Sequence, residues 1–368
     1  MQEPSLDTRM LREWALELGI DELGVCHAEH YARAEASIDA RQARGKFADL
    51  KFTMARTETS CHPERMLDGR AVSVISAALS YWHPDLEPEL DPAVRAGGGT
   101  EPEHAPVRGR IARYTRTDAY AELIERLEQL TKRLEQHGHD SRVLVDSNEH
   151  VDREAAIRSG VGFSGKNTNV ITRRVGSWVV LGTIVTSAPL EPTPPMRPGC
   201  GTCTLCIDAC PTDALIDVPG GELDATRCIT YWTQSRHSVP ADIRDSMRDF
   251  IYGCDICQDA CPWNRGVEQR RTETAEPRPW GIDLVEWLEG PDEQIDEEWQ
   301  RLYVPRRRMQ YLRRNALIAL GNSGRPEQAA LAAPFLESED ALLREHAAWA
   351  LRKLGGPIAA AALHRAGA

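Results

Sequence analysis

The amino-acid sequence predicts an α+β multidomain protein, and three observations carry that prediction. Strand-like and helix-like patterns alternate through residues 1–190. Eight of the ten cysteines crowd between positions 200 and 261. Near the C-terminus LRRNALIALGNSG (312–324) returns as LREHAAWALRKLG (343–355), a period of 31. A chain of 368 residues is too long for one small core, and the composition divides it at 1–190, 191–270 and 271–368.

The first segment begins with an amphipathic helix over 9–18, with no basic stretch followed by an apolar block. A secretory signal is therefore not expected, and a cytoplasmic location is. No apolar run approaches bilayer-spanning length. AVSVISAALSYW (71–82) suits a buried strand, and the Pro-, Gly- and acid-rich stretch 84–109 reads as a long surface loop. Leu123, Ile124, Leu127, Leu130 and Leu134 make one helical face over 119–136, with Gly138 as its stop. RVLVD (142–146) reads as a strand whose last residue emerges at the sheet edge, and DREAAIRSGVG (152–162) as a short helix closed by glycine. NVITRR and SWVVLGTIVTSA (169–188) read as two strands joined by a Val-Gly turn. Together these elements make an α/β domain. Proline-rich EPTPPMRPG (191–199) is a linker or an arm wrapped over the surface.

The second segment carries the chemistry. Cys200-x2-Cys203-x2-Cys206-x3-Cys210-Pro211 matches the run of a two-cluster bacterial ferredoxin, in which the fourth cysteine serves the other cluster. The second run, Cys254-x2-Cys257-x3-Cys261-Pro262, has Ile251 where its first cysteine belongs, and Cys228 is the spare thiol nearby. We assign Cys200, Cys203, Cys206 and Cys261 to one 4Fe–4S cluster, and Cys210, Cys228, Cys254 and Cys257 to the other. Structural zinc would pair its ligands as separated short spacings, which explains neither the unbroken first run nor the two Cys-Pro endings. Cys26 and Cys61 read as core or surface thiols, since no second pair stands near Cys61-His62 to make a zinc site.

The third segment is helical. Arg313 aligns with Arg344, Ala316 with Ala347 and Ala319 with Ala350, a Leu/Ala face that resembles a pair of HEAT-like repeats. The net charge of −12 argues against a protein that coats nucleic acid indiscriminately. Yet Arg301, Arg306, Arg307, Arg308, Arg313 and Arg314 fall within fourteen residues that hold no acid. Such a stretch is either a local nucleic-acid contact or a solvated helix face.

Flanking motifs narrow the reading. YTRTDAY (114–120), VDSNEHVDREAAIRSGVGFSGKNTNVI (145–171), RCITYWTQ (227–234), IYGCDICQDACPWNR (251–265) and VPRRRMQYLRRNALIALGN (304–322) follow in that order. Taken together they resemble the epoxyqueuosine reductase family over essentially the whole chain. The resemblance implies a cobalamin enzyme whose N-terminal domain is of the nitroreductase/dehalogenase-like kind, followed by a ferredoxin-like domain and a tRNA-binding helical end. It implies removal of the epoxide oxygen from epoxyqueuosine at the tRNA wobble position, with clusters feeding electrons to cobalt and cob(I)alamin attacking the epoxide-bearing ring. No Asp-x-His-x-x-Gly motif is present, so a histidine ligand to cobalt is not expected.

Asp146 matches the family's proton donor, a sensible device beside an opening epoxide if burial raises its pKa. The bland alternative is a strand-end turn residue. Gly165, Lys166, Asn167 and Thr168, with Arg56 and Arg113, match positions near the corrin. Thr230, Tyr231 and Asp255 match those between the second cluster and the cofactor. Arg306, Arg307, Arg308, Arg313 and Arg314 match the tRNA-binding end. Thr117, Ala119, Ala121 and Glu149 depart from the family's pattern, which admits another substrate on the same scaffold. The rival readings are a cobalamin-dependent reductase of a small halogenated molecule and a plain electron carrier. The expected partners are modified tRNA and a low-potential donor of flavodoxin or ferredoxin type, with the chain itself a monomer.

Overall fold

A computed structural model describes residues 6–86, 107–271 and 274–367. Most of the stretch expected to be a surface loop, 84–109, lies outside the described residues. In chain order the described strands are β1 (Glu22–His27), β2 (Ser73–Ser80), β3 (Arg108–Ile111), β4 (Ser141–Val145), β5 (Gly162–Ser164) and β6 (Val170–Thr172). They continue with β7 (Val179–Thr186), β8 (Leu215–Ile216), β9 (Glu222–Leu223), β10 (Phe250–Tyr252) and β11 (Gly281–Asp283). The chain forms two compact units that interleave along the sequence. The first comprises Met1–Trp82, Thr117–Thr226 and Ile256–Glu273; the second comprises His83–Arg116, Arg227–Asp255 and Thr274–Ala368.

The first unit is built on an antiparallel sheet of order β1-β2-β7-β4. β2 and β7 are central, so both of their faces are covered and their sequences run apolar without alternation. The Ala119–Gln136 helix starts where the Asp118 side chain accepts a bond from the Ala121 amide. It presses Leu123 and Leu127 so close to β7 that a Cβ at Gly182 would fall 2.7 Å from Leu127. Leu123, Leu127, Leu130 and Leu134 are fully buried, but Ile124 is exposed, one residue around the helix from Leu123. The helix ends at Gln136 and Gly138 takes a φ of +81°, as the sequence predicts.

One expectation changes in detail, and one pair of alternatives is resolved. β6 and β7 are not a hairpin: β6 pairs with β5, and β7 inserts between β2 and β4. A Thr172–Gly176 bridge folds the connection back, leaving the longer apolar strand to the core. The proline-rich segment is an arm, since the Thr193 amide donates to the Val25 carbonyl at 2.9 Å and its hydroxyl accepts from the Val25 amide at 2.9 Å.

The second unit holds a small sheet, β10-β3-β11, with β3 parallel to β10 and antiparallel to β11. The helices Gln310–Asn322 and Ala341–Leu354 pack through Ala316, Ala319, Ala347 and Ala350, all nearly inaccessible to solvent. These are the residues the 31-residue repeat aligns. Gly321 is required at the contact, because a Cβ there would stand 2.6 Å from the Trp349 ring.

Candidate redox and active site

Three cysteines come from one tight loop and a fourth from a distant segment. After Gly201, with φ +51°, the loop bonds Cys203 N to Cys200 O, turns through the short helix Leu205–Asp208, and bonds Cys210 N to Ile207 O. Cys261 closes the Ile256–Asp259 turn and precedes the Pro262–Arg271 helix, where proline at the first position has no amide to satisfy. Cys200, Cys203, Cys206 and Cys261 then line one cavity of 160 Å³ with Lys166, Asn167, Ile171, Gly199, Pro262 and Trp263. As bare thiols Cys206 and Cys261 oppose ionisation. Burial, and then the neighbouring Cys261 and Cys200 sulfurs, push Cys206 up to about 11. Cations placed among the sulfurs would reverse that penalty, which is what the irons of a cluster do.

The cavity's lining fits such a group. Asn167 is buried, and its Nδ2 has no hydrogen-bond partner, so a donor is left facing a site rich in sulfur. Lys166 lies alongside and pairs with Asp217 at 2.8 Å. Behind the cavity, buried Asn264 donates to Ser177 Oγ (2.9 Å) and Gln258 O (2.8 Å) and accepts from Ser177 N (2.8 Å). That network locks the Cys261 segment against the turn before β7. It escaped sequence analysis, although the tripeptide Pro262-Trp263-Asn264 was a motif in plain view.

A second group of ionisable residues in the first unit surrounds Asp146. This residue follows edge strand β4 with a φ of +48°, then the chain runs back inside at His150. His150 lies within hydrogen-bond distance of Thr183 Oγ1 (3.0 Å) and Tyr31 OH (3.2 Å), and burial lowers its pKa to about 4, so it is neutral. Asp146 is exposed at the end of that strand. Desolvation raises its carboxyl above the usual range, Asp152 adds to the rise, and Arg153 opposes it. Tyr120 is raised by burial and by the same two carboxylates. Arg153 in turn reaches the Thr168 carbonyl at 3.4 Å. Asp146, Tyr120, Asp152 and Arg153 thus share one neighbourhood with the Gly165–Thr168 loop.

Comparison with known proteins gives this arrangement its context. Residues 61–147 match the family model "Epoxyqueuosine reductase QueG, DUF1730", 199–264 a 4Fe–4S double cluster binding domain, and 306–367 HEAT repeats. The chain is 33% identical over 366 residues to the epoxyqueuosine reductase of Bacillus anthracis, covering 95% of this chain and 89% of that one. It is 31% identical to the Escherichia coli protein of that name over 366 residues, covering 95% and 91%. A crystal structure of epoxyqueuosine reductase with an epoxyqueuosine-modified tRNA-Tyr stem loop superposes with a TM-score of 0.85 at 29% identity, over 97% and 92% of the two chains. The chain belongs to the epoxyqueuosine reductase family.

As a member of that family it carries two 4Fe–4S clusters, within the matched residues 199–264. Cys210 and Cys257 lie in the first unit; Cys228 and Cys254 lie in the second. Of the other sequence-predicted residues, Arg56 is exposed in the first unit. In the second, the Asp255 carboxylate accepts from the Arg113 amide at 2.7 Å, and Arg113 also pairs with Asp85 at 2.9 Å. Thr230 and Tyr231 sit in the Ile229–Gln234 helix, Tyr231 buried. Of the family departures, Glu149 forms a surface pair with Arg142 at 2.6 Å, and Ala119 is buried in the first turn of its helix.

The arginine stretch is not uniform. Arg306 and Arg308 are exposed and, among the described residues, pair with no carboxylate. Arg307 bonds Asp296 at 2.6 Å, and Arg313 is engaged by Asp292 and the Gly290 carbonyl. Arg314 corrects the sequence expectation outright. It is fully buried, and its guanidinium donates to the carbonyls of Ser235 (2.7 Å), His237 (2.6 Å) and Trp232 (2.8 Å), so no phosphate can reach it. Burial lowers its pKa to about 9, which leaves it cationic at neutral pH.

Proposed function

We propose that this chain reduces epoxyqueuosine to queuosine in tRNA, using cobalamin together with its two 4Fe–4S clusters. One observation carries the reading: the Gly165–Thr168 loop joins an electron supply to a proton supply. Asn167 lines the cysteine cavity, and the Thr168 carbonyl receives Arg153, which stands beside Asp146.

The residues assigned to the clusters are Cys200, Cys203, Cys206 and Cys261 for one, supported by their common cavity, and Cys210, Cys228, Cys254 and Cys257 for the other, supported by their spacing. Support for a corrin in the first unit comes from the donor set of the loop, in which Thr168 holds a left-handed φ of +64°, and from exposed Arg56. Cobalamin, when bound, supplies low-potential two-electron chemistry at cobalt. The protein's own task is the oxygen. Converting an epoxide to an alkene and water consumes two electrons and two protons, and the first proton must meet an alkoxide. Asp146, whose carboxyl is raised by desolvation and then by Asp152, would deliver it. Arg306 and Arg308 are the phosphate contacts best supported, with 271–368 as the tRNA-binding part, 191–270 as the cluster part and 1–190 as the catalytic part. A flavodoxin- or ferredoxin-class donor, a monomeric state and a cytoplasmic location complete the proposal. Among the described residues no helix is long and apolar enough to cross a membrane.

The test is incubation of the cluster- and cobalamin-loaded protein with an epoxyqueuosine-containing tRNA stem loop and a low-potential reductant, read by nucleoside mass spectrometry. Queuosine is expected, and its absence overturns the reading. Asp146→Asn should lower turnover about 10²–10⁴-fold while leaving iron content unchanged. Because a raised carboxyl holds its proton up to that raised pKa, turnover should fall as pH climbs through it, and the variant should lose that limb of the profile.

A further inference from the structure

Outside the cluster cavity a second group of metal-ligating side chains converges in the first unit. The Tyr31 amide bonds the Cys61 carbonyl at 2.8 Å, and this single bond brings the residues before the Ala32–Ala43 helix beside those of the Cys61–Arg65 turn. His30 and His62 are thereby stacked, with ring centroids 4.1 Å apart and planes 10° apart. Glu35, in the first turn of the helix, sets one carboxylate oxygen 2.6 Å from His30 Nε2 and the other 3.7 Å from His62 Nε2. One donor atom from each of the three lies within 4.8 Å of the others.

We propose that His30, Glu35 and His62 form a binding site for a divalent ion of the zinc class, with solvent as the fourth ligand. The donor set of two imidazoles and one carboxylate suits that ion, and the divalent first-row order favours zinc over iron(II) or manganese at such a site. A second observation points the same way. Glu64 holds His62 Nδ1 at 2.7 Å, which fixes the ring and turns Nε2 toward Glu35. A carboxylate on the outer nitrogen of a ligating histidine is the usual support of a zinc site. His62 is nearly buried, whereas His30 is half-exposed, so it is the His30 ring that would swing out of the stack to bring both Nε2 atoms onto one ion. Cys61 takes no part: its thiol is fully buried in the core with Tyr31 and Val74. The bound ion would clip the start of the Ala32–Ala43 helix to the Cys61–Arg65 turn.

The experiment uses the anaerobic holoprotein with both clusters loaded, so that the cluster cysteines are occupied. Equilibrium dialysis against zinc should retain one ion per chain. Zinc-edge X-ray absorption should show only nitrogen and oxygen neighbours at roughly 2.0–2.2 Å. Glu64→Gln should weaken binding about 10–100-fold. Exposed His30→Gln, which leaves the core untouched, should abolish retention without changing iron content or thermal midpoint. Failure to retain zinc, sulfur neighbours at roughly 2.3 Å, or equal retention by His30→Gln would each overturn the proposal.

Discussion

Cys261 stands 55 positions from Cys206, yet the two sulfurs line one cavity, whereas Arg313 and Arg314 adjoin in sequence and serve different ends. The cysteines share one destination because a cubane cluster needs four thiolates from several directions, so their spacing is a record of geometry. The arginines share only charge. Each finds its own partner: Asp296 for Arg307, Asp292 for Arg313, backbone carbonyls for Arg314 and solvent for Arg306 and Arg308. Clustering in sequence therefore means a site when the chemistry demands convergence, and much less when it does not.

Four measurements would break or sharpen that contrast. Replacing Cys261 by alanine should have the largest effect, loss of about half the iron and of all turnover, because the cluster proposed for the 160 Å³ cavity would have no substitute ligand. Full iron retention would mean the four thiols do not act together. Next comes Arg314→Ala, which strips the bonds from three carbonyls and should cost about 3 kcal/mol or more in denaturant unfolding. A surface arginine would lose almost nothing, so an unchanged midpoint would restore Arg314 to the nucleic-acid face. Arg306→Ala and Arg308→Ala should leave the midpoint alone and weaken tRNA stem-loop binding, each reducing the salt slope by roughly 0.7–0.9. Smallest is Asn167→Asp, which keeps the Oδ1 contact to the Asn169 amide but removes the unpartnered donor. Protein-film voltammetry should find the neighbouring cluster's potential shifted downward; an upward shift or none would sink the assigned bond.

Much of the architecture was legible because it follows short-range periods. The Ala119–Gln136 helix announced itself through leucines three and four apart and a terminal glycine, and the helical repeats through small residues at matching positions. The β10-β3-β11 sheet left no such trace. Its strands are three or four residues long, and its parallel pair joins segments about 140 positions apart, so neither alternation nor a turn signal exists to be read. The His30–Glu35–His62 group was hidden for a related reason: its ligands are brought together by one backbone bond between Tyr31 and Cys61, which no spacing rule encodes. At the candidate active site, Asp146 was legible as a strand end. The rise of its carboxyl was not, since it depends on desolvation and on Asp152, which comes from the helix that follows.

Arg314 has a consequence for how this protein tolerates change. The carbonyls it holds belong to residues 232, 235 and 237, beginning four residues after the displaced cysteine, Cys228. The next residue, Asn315, ties down the Thr233 and Ile251 carbonyls at 2.7 and 2.8 Å. The first repeat helix is therefore the keystone of the Ile229–Gln234 helix and of β10, the elements next to Cys228 and Cys254. It is not a detachable module, and grafting another repeat array in its place would have to reproduce an Arg-Asn pair facing inward. Variants deep in the repeats, far from any cysteine in sequence, should announce themselves first as proteins that lose colour.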